Sequence, residues 1–306
     1  MSPLRSLLRK FVPARFLARV NYISHADDRA IDLEYRLQKV TRLFLQQHYP
    51  EITGASSDSD RLSEHELSIY SQEGVDGLLL QIFSKIGAAQ RKFVEIGCGD
   101  GRECNTANLS LNLGWSGALI DSDELRLASA RKFYGRMLQH KSAEVRILDA
   151  HLTRANVNQV VAAAGESGEI DLLSIDVDGN DYWIWKALTV VEPRVVVAEY
   201  NASFGPGQAV TVPYDPNFDC SKAHPSGFYH GASLAALTRL GAEKGYALVA
   251  VDSQGVNAVF VKQELADGVF PTLDPTQAYV RHFQRGKKMS QAEQYALVKD
   301  LELVKV

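Results

Sequence analysis

FVEIGCGDGRECN, Phe93 to Asn105, joins a short apolar run to a turn with three glycines at alternate positions, Gly97, Gly99 and Gly101. A buried strand followed by such a turn belongs at the carboxyl edge of a parallel sheet, where side-chain-free backbone can approach a ligand closely. The spacing is G-C-G-D-G, not the G-x-G-x-x-G of a turn that sets a pyrophosphate against a helix N-terminus. Glu95 and Asp100 add negative charge. That charge repels a pyrophosphate and suits a ligand carrying an amine or a sulfonium.

Working outward, similar apolar runs recur: GALID, EVRILD, IDLLSID and RVVVAEY, then YALVAVD and NAVFVK. Segments of helical length separate the first five runs, counting FVEIG, which predicts βαβ units and a buried parallel sheet. Ser253–Val256 joins the last two and is short enough for a hairpin. The expectation is an α/β, Rossmann-like fold: a mostly parallel seven-stranded sheet, a C-terminal antiparallel hairpin and extra N-terminal helices. Leu33, Leu37, Val40 and Phe44 follow helical spacing between Asp27 and His48, and TGASSDSD (Thr53–Asp60) reads as a loop. Val75, Leu78, Leu79, Ile82 and Phe83 repeat the helical pattern, with Gly87 as its C-cap. This divides the chain into a helical extension (1–66), a ligand-binding domain (67–264) and a partly helical tail (265–306). Within the domain, 201–231 contains Pro206, Pro213, Pro216 and Pro225 and five aromatics, Phe204, Tyr214, Phe218, Phe228 and Tyr229. It reads as a substrate loop or lid, because structureless loops of that length are usually functional and its aromatics argue against disorder.

Composition narrows the class. The 306 residues are 45% hydrophobic and 23% charged, ordinary for a soluble globular protein, and the net charge of −4 gives no reason to expect a nucleic-acid partner. Cys98, Cys104 and Cys220 match no zinc spacing and read as reduced thiols of a cytoplasmic protein. No apolar run of about 18 residues is available to span a bilayer. Arg5, Arg9, Lys10, Arg15 and Arg19 all precede the first acid, Asp27; without them 28 basic residues face 37 acidic ones. Interleaved with leucine and phenylalanine, they make 1–20 a basic amphipathic segment. Such a segment rests on anionic lipid, docks on the protein's own body, or remains a mobile tail.

Asp121 closes the second strand twenty residues beyond Gly101, where a carboxylate can accept hydrogen bonds from both ribose hydroxyls. Asp123 reads as a helix N-cap. Asp149 and Ala150 end the third strand, beside the position of an adenine edge.

VEIGCGDG, the acid closing the second strand, and LLSIDVDGND on the fourth together resemble the class I S-adenosylmethionine-dependent methyltransferases. YSQEGVDGLLLQIFSKIG, FVEIGCGDGRECNTANL and IDLLSIDVDGNDYWIWKAL more narrowly resemble the FkbM-like members, over about Tyr70 to Lys262. The resemblance implies an enzyme with S-adenosylmethionine as cofactor. It implies that Glu95, Gly97 and Gly99 line the methionine and ribose end, Asp121 the ribose, and Asp149 and Ala150 the adenine. Ser71, Gln72 and Asp76 reach the cofactor from the preceding segment. The chain departs from the DVEG common in that family at Asp176-Val177-Asp178-Gly179.

A sulfonium methyl is already activated, so such an enzyme must chiefly align donor and acceptor and remove a proton. Asp176, Asp178, Asn180, Asp181, Glu199 and Asn201 gather at the ends of the fourth and fifth strands. One reading takes Asp176, Glu199 and Asn201 as ligands of Mg²⁺ or another hard divalent cation that acidifies a bound hydroxyl. The metal-free reading makes Asp176 or Asp178 the base, with His230, ahead of His151 and His224, as its rival. Asp181 reads as the cap of the helix YWIWKAL. Family members act on varied hydroxyls, including those of glycans and polyketides, so the expected reaction is O-methylation of a surface-polysaccharide, glycolipid or natural-product sugar. Nucleic-acid methylation is not expected, because an acidic methyl site repels phosphate. The competing classes are a nicotinamide-dependent oxidoreductase and a non-catalytic binding protein.

Overall fold

Each apolar run forms a strand, because Val, Ile, Leu and Phe at successive positions can be buried on both faces of a sheet. The computed structural model describes residues 37, 40, 62–139 and 141–306. The basic segment 1–20, the loop Thr53–Asp60 and the helical pattern from Asp27 to His48 lie outside the described residues. Leu37 and Val40 are the exceptions, helical and exposed.

The strands are β1 (Lys92–Ile96), β2 (Ser116–Asp121), β3 (Val145–Asp149), β4 (Gly168–Ile175), β5 (Val191–Glu199), β6 (Val210–Thr211), β7 (Tyr246–Val251), β8 (Asn257–Lys262) and β9 (Val304–Lys305). Seven of them form one sheet in the order β3-β2-β1-β4-β5-β8-β7. β1 to β5 pair in parallel, and β8 runs antiparallel to both β5 and β7. The fold is therefore the expected Rossmann-like one, hairpin included. The chain leaves β1 toward β2 and β3, then crosses back to place β4 on the other side of β1. A crevice opens where that order reverses, at the carboxyl ends of the strands.

Alternating strand residues serve two helical layers. Phe93, Leu119, Leu172 and Val195 pack toward α1 (Val75–Ile86), α2 (Ala107–Leu113) and α3 (Glu124–Met137). Val94, Ile120, Leu173 and Val196 pack toward α4 (Val157–Ala163), α5 (Asp181–Ala187) and α6 (Leu234–Glu243). Gly87 caps α1 as expected, at φ +68°, its N–H bonded to Phe83 O at 2.9 Å. Asp123 caps α3 by accepting from Leu125 N and Arg126 N.

The tail beyond β8 consists of four short helical turns and β9. β9 pairs with β6 inside the loop 201–231, Val210 opposite Lys305 and Thr211 opposite Val304. Phe204, Val210, Val212 and Val298 are buried there, with Phe218, Phe228, Tyr229, Tyr295 and Leu303 packed around them. Loop and tail thus share a third small core, so most of the loop's aromatics are spent on packing.

Candidate functional site

The glycine turn is shaped from below by Glu95. Its Oε1 accepts from Asn105 N at 2.9 Å and Ser174 Oγ at 3.3 Å, and its Oε2 accepts from Thr106 N at 2.9 Å and from the Thr106 hydroxyl. Burial pushes the Glu95 carboxyl above its ordinary pKa, and these hydrogen bonds pull the other way. The carboxylate is fully occupied in holding the turn against the start of α2. That leaves the carboxylate no free lone pair for the ligand that the sequence suggested it lines. Gly97 has φ +85°, and a Cβ there would lie 1.6 Å from Asp176 O. Only glycine lets the ends of β1 and β4 meet so closely. At Gly99, φ +55°, such a Cβ would meet only the exposed Arg126 side chain, in van der Waals contact at 3.6 Å, and the glycine itself is half-buried.

Asp121 stands next to the turn. Its Oδ2 accepts from Gly99 N at 2.7 Å and its Oδ1 from Asp123 N at 2.9 Å. Each oxygen keeps one lone pair, so a half-exposed, pre-oriented carboxylate offers two further acceptor positions. Asp149 lies opposite it across the β2–β3 pair and is exposed; Ala150 N donates to Asp121 O at 2.8 Å. These three predicted residues come together with Gly97 and Gly99.

The preceding segment is a correction. Asp76 Oδ2 accepts from Ile69, Tyr70 and Ser71 N at 2.6–2.8 Å, while Ser71 Oγ accepts from Asp76 N at 3.0 Å. Both side chains are buried, and Ser71 Oγ and Asp76 Oδ2 are committed to the backbone of this segment, which they shape; among the described residues Asp76 Oδ1 has no hydrogen-bond partner. Gln72 is exposed and bonds Glu103 at 2.5 Å. Burial, then the nearby Glu95, pushes the Cys98 and Cys104 thiols up, which keeps them protonated and unreactive.

On the other side of Gly97, carboxylate oxygens of Asp176, Asp178 and Glu199 lie within 4.8 Å of one another. Asp178 adopts φ +53°, a left-handed conformation that aspartate tolerates better than most residues. Asp181 ties the turn by accepting from Val177 N at 2.8 Å and Gly179 N at 3.0 Å; it is the first helical residue, not the cap. The protein walls of the cleft, then Asp181 and Asp178, push the Asp176 carboxyl up, although water reaches it along the cleft. Burial, then Asp176, raises Glu199. The cluster is a set of hard oxygens short of positive charge.

Two predicted members do not belong to it. Asn201 Oδ1 accepts from Ser203 N at 3.0 Å and Arg285 Nη1 at 3.2 Å, and its Nδ2 donates to Phe228 O and His230 O. No lone pair is left for a cation, and Asp178 takes its place in the trio. His230 is 3% exposed, and burial, then Arg285 and His282, pushes it down to about 3. A buried imidazole that resists protonation is a poor base. Two contributors have no local signature in sequence. Arg285 comes from the tail, and Glu73, which adds to the charge acting on Asp176, precedes α1.

The loop 201–231 bridges the crevice. His151 Nε2 lies 2.6 Å from Pro216 O, and Arg154 sits 3.8 Å over the Tyr214 ring and 5.4 Å from that of Trp183. On the acidic side Asn180 Nδ2 donates to Asp215 O at 2.8 Å, and a Cβ on Gly179 would strike Phe218 at 2.3 Å.

No protein-family model matches the sequence, and no curated protein matches it. Solved structures similar to the chain include magnesium protoporphyrin IX methyltransferase from Synechocystis PCC 6803 with bound SAM, at 12% identity over 73% of this chain and 95% of that one, TM-score 0.41. An O-methyltransferase from Bacillus cereus in complex with SAH is 19% identical over 73% of this chain and 98% of that one, TM-score 0.40. An S-adenosylmethionine-dependent methyltransferase from Clostridium acetobutylicum is 10% identical over 74% and 98%, TM-score 0.38. Likeness of that degree carries no substrate and no site residue across to this chain.

The carboxylate crowding predicts a pH dependence. An acid whose pKa is higher folded than unfolded supports stability below the ordinary carboxylate range and loses it as pH climbs through the raised value. In chelator, Asp176→Asn should therefore melt above the native chain, by a gap that widens from about pH 5 to about pH 9. A constant gap, or none, would contradict the raised value.

Proposed function

We propose that this chain is an S-adenosylmethionine-dependent O-methyltransferase, FkbM-like, acting on a sugar hydroxyl of a surface polysaccharide, glycolipid or glycosylated natural product. One placement carries the reading: a half-buried glycine turn and a pre-oriented Asp121 on one side of the β1–β4 junction, and a carboxylate cluster on the other. A nucleoside laid along the β1–β2 edge has its ribose at Asp121 and its adenine at Asp149 and Ala150. Its charged end then points toward Asp176.

S-adenosylmethionine, when bound, supplies a methyl group on a positively charged sulfur. Asp121 orients the ribose through its two free acceptor positions. The acids around Asp176 favour positive charge and receive the proton that leaves the acceptor hydroxyl as its oxygen forms the new bond to carbon and the carbon–sulfur bond breaks. Asp176, Asp178 and Glu199 also suit a hard divalent cation, since three carboxylate oxygens lie within 4.8 Å of one another. Such an ion would lower the pKa of a bound hydroxyl. Half-buried Trp183 and Tyr214, the latter being the loop aromatic left outside the small core, suit a sugar ring. None of the described helices is long and apolar enough to cross a membrane. We place the reaction in the cytoplasm, with the basic segment 1–20 as its contact to anionic lipid.

Calorimetric titration with S-adenosylhomocysteine tests the cofactor. A Kd on the order of micromolar is expected, weakened at least about tenfold by Asp121→Ala, with no comparable binding of NAD. A folded chain that binds NAD and not S-adenosylhomocysteine contradicts the proposal. For the cation, methyl transfer should fall in excess chelator and return with Mg²⁺. Full activity with metal shown to be absent leaves Asp176 as an unaided base.

A further inference from the structure

Between α3 and β3, an edge strand of the sheet, lies a cavity of about 400 Å³, within the size range of ligand pockets. Leu138, Ala143, Val145 and Ile147 form its apolar lining, and all but Ala143 are only half-buried. Arg131 and Gln139 supply polar groups, and no acid among the described residues lines it.

Gly135 keeps the cavity open. It sits inside α3, where glycine is less favourable than alanine, and its φ is not left-handed. A Cβ there would meet nothing within 4 Å, so no packing excludes a side chain. Neither backbone nor packing demands this glycine. Its effect is an unobstructed wall of the cavity.

Charge selects what fits. α3 carries Arg126, Arg131, Lys132 and Arg136 against one acid, Glu124, in a chain of net charge −4. Arg131 Nη1 bonds Glu124 Oε1 at 2.9 Å, but both side chains are exposed, so the pair is weak and the other guanidinium N–H groups can take an anion. β3 lies three strand spacings from β4, roughly 14 Å, so an anion here does not meet the Asp176 cluster.

The cavity also reaches the glycine turn, through Tyr134. That ring lines the cavity, and a Cβ on Gly101 would lie 2.8 Å from its Cε2. Val145 and Ile147 share a strand face with Asp149, at the position of the adenine.

We propose that this cavity binds an anionic amphiphile, with its alkyl chain along Leu138, Val145 and Ile147 and its carboxylate at Arg131, and that filling it holds Tyr134 against Gly101 and tightens cofactor binding. The site stands without the methyltransferase reading; its effect on the cofactor rests on that reading.

Calorimetric titration of the full chain with octanoate, octan-1-ol and acetate tests the site, on the native protein, Gly135→Leu and Arg131→Met. Octanoate should bind the native chain, octanol at least about threefold more weakly, and acetate not at all. Gly135→Leu, whose Cβ meets no neighbour and whose side chain enters the cavity, should weaken octanoate at least about tenfold. Arg131→Met should bind octanoate and octanol alike. Saturating octanoate should lower the S-adenosylhomocysteine Kd of the native chain at least about threefold, and leave that of Gly135→Leu unchanged. No octanoate bound by the folded native chain, equal octanoate binding by Gly135→Leu, equal octanol binding by the native chain, or a native S-adenosylhomocysteine Kd that octanoate does not move overturns the inference. A chain that binds octanoate as expected but no S-adenosylhomocysteine counts against the methyltransferase reading instead.

Discussion

The site depends on a contact that no side chain can enter. At Gly97 a Cβ would lie 1.6 Å from Asp176 O, and Asp176 N donates back to Ile96 O at 2.9 Å. The ends of β1 and β4 are thereby joined at the point where the strand order reverses. To one side the turn runs on to Gly99 and its bond to Asp121; to the other, β4 ends in Asp176 and the turn to Asp181. Any residue larger than glycine would part the two halves. It would separate the nucleoside edge from the acids that its reactive end must meet.

Electrostatics then divides the crevice. On the β1–β2 side the Asp121 carboxylate is already tied to the backbone N–H groups of Gly99 and Asp123. The β4–β5 side has carboxylates pressed together, a high-energy arrangement that a proton, a metal ion or a positively charged sulfur relieves. Loop and tail complete this half. β6 and β9 fasten them together, and Asn201 links β5, the loop at Phe228 and His230, and the tail at Arg285. The acceptor region is therefore assembled from parts distant in sequence.

Much of this was legible in the sequence. Apolar runs of strand length mark the sheet, glycine spacing marks the turn, and an acid closing β2 marks Asp121, because each feature follows from local backbone and burial requirements. Side-chain commitments were not legible. Glu95, Asp76 and Asn201 are polar residues at the right places, but their hydrogen bonds go to Thr106, Tyr70 and Phe228 backbone groups that only the folded chain brings near. His230 is a poor base for a related reason, since its burial, and then Arg285 and His282 from the distant tail, disfavour its protonated form. Arg285 carries no signal at all, because nothing local distinguishes it from the other arginines of the tail.

The most direct test of the account is a crystal structure of the chain with S-adenosylhomocysteine. Both ribose hydroxyls should lie within hydrogen-bond distance of Asp121, adenine beside Asp149 and Ala150, and sulfur on the Asp176 side of Gly97. A ligand bound elsewhere, or seated with its sulfur away from the carboxylate cluster, would contradict it.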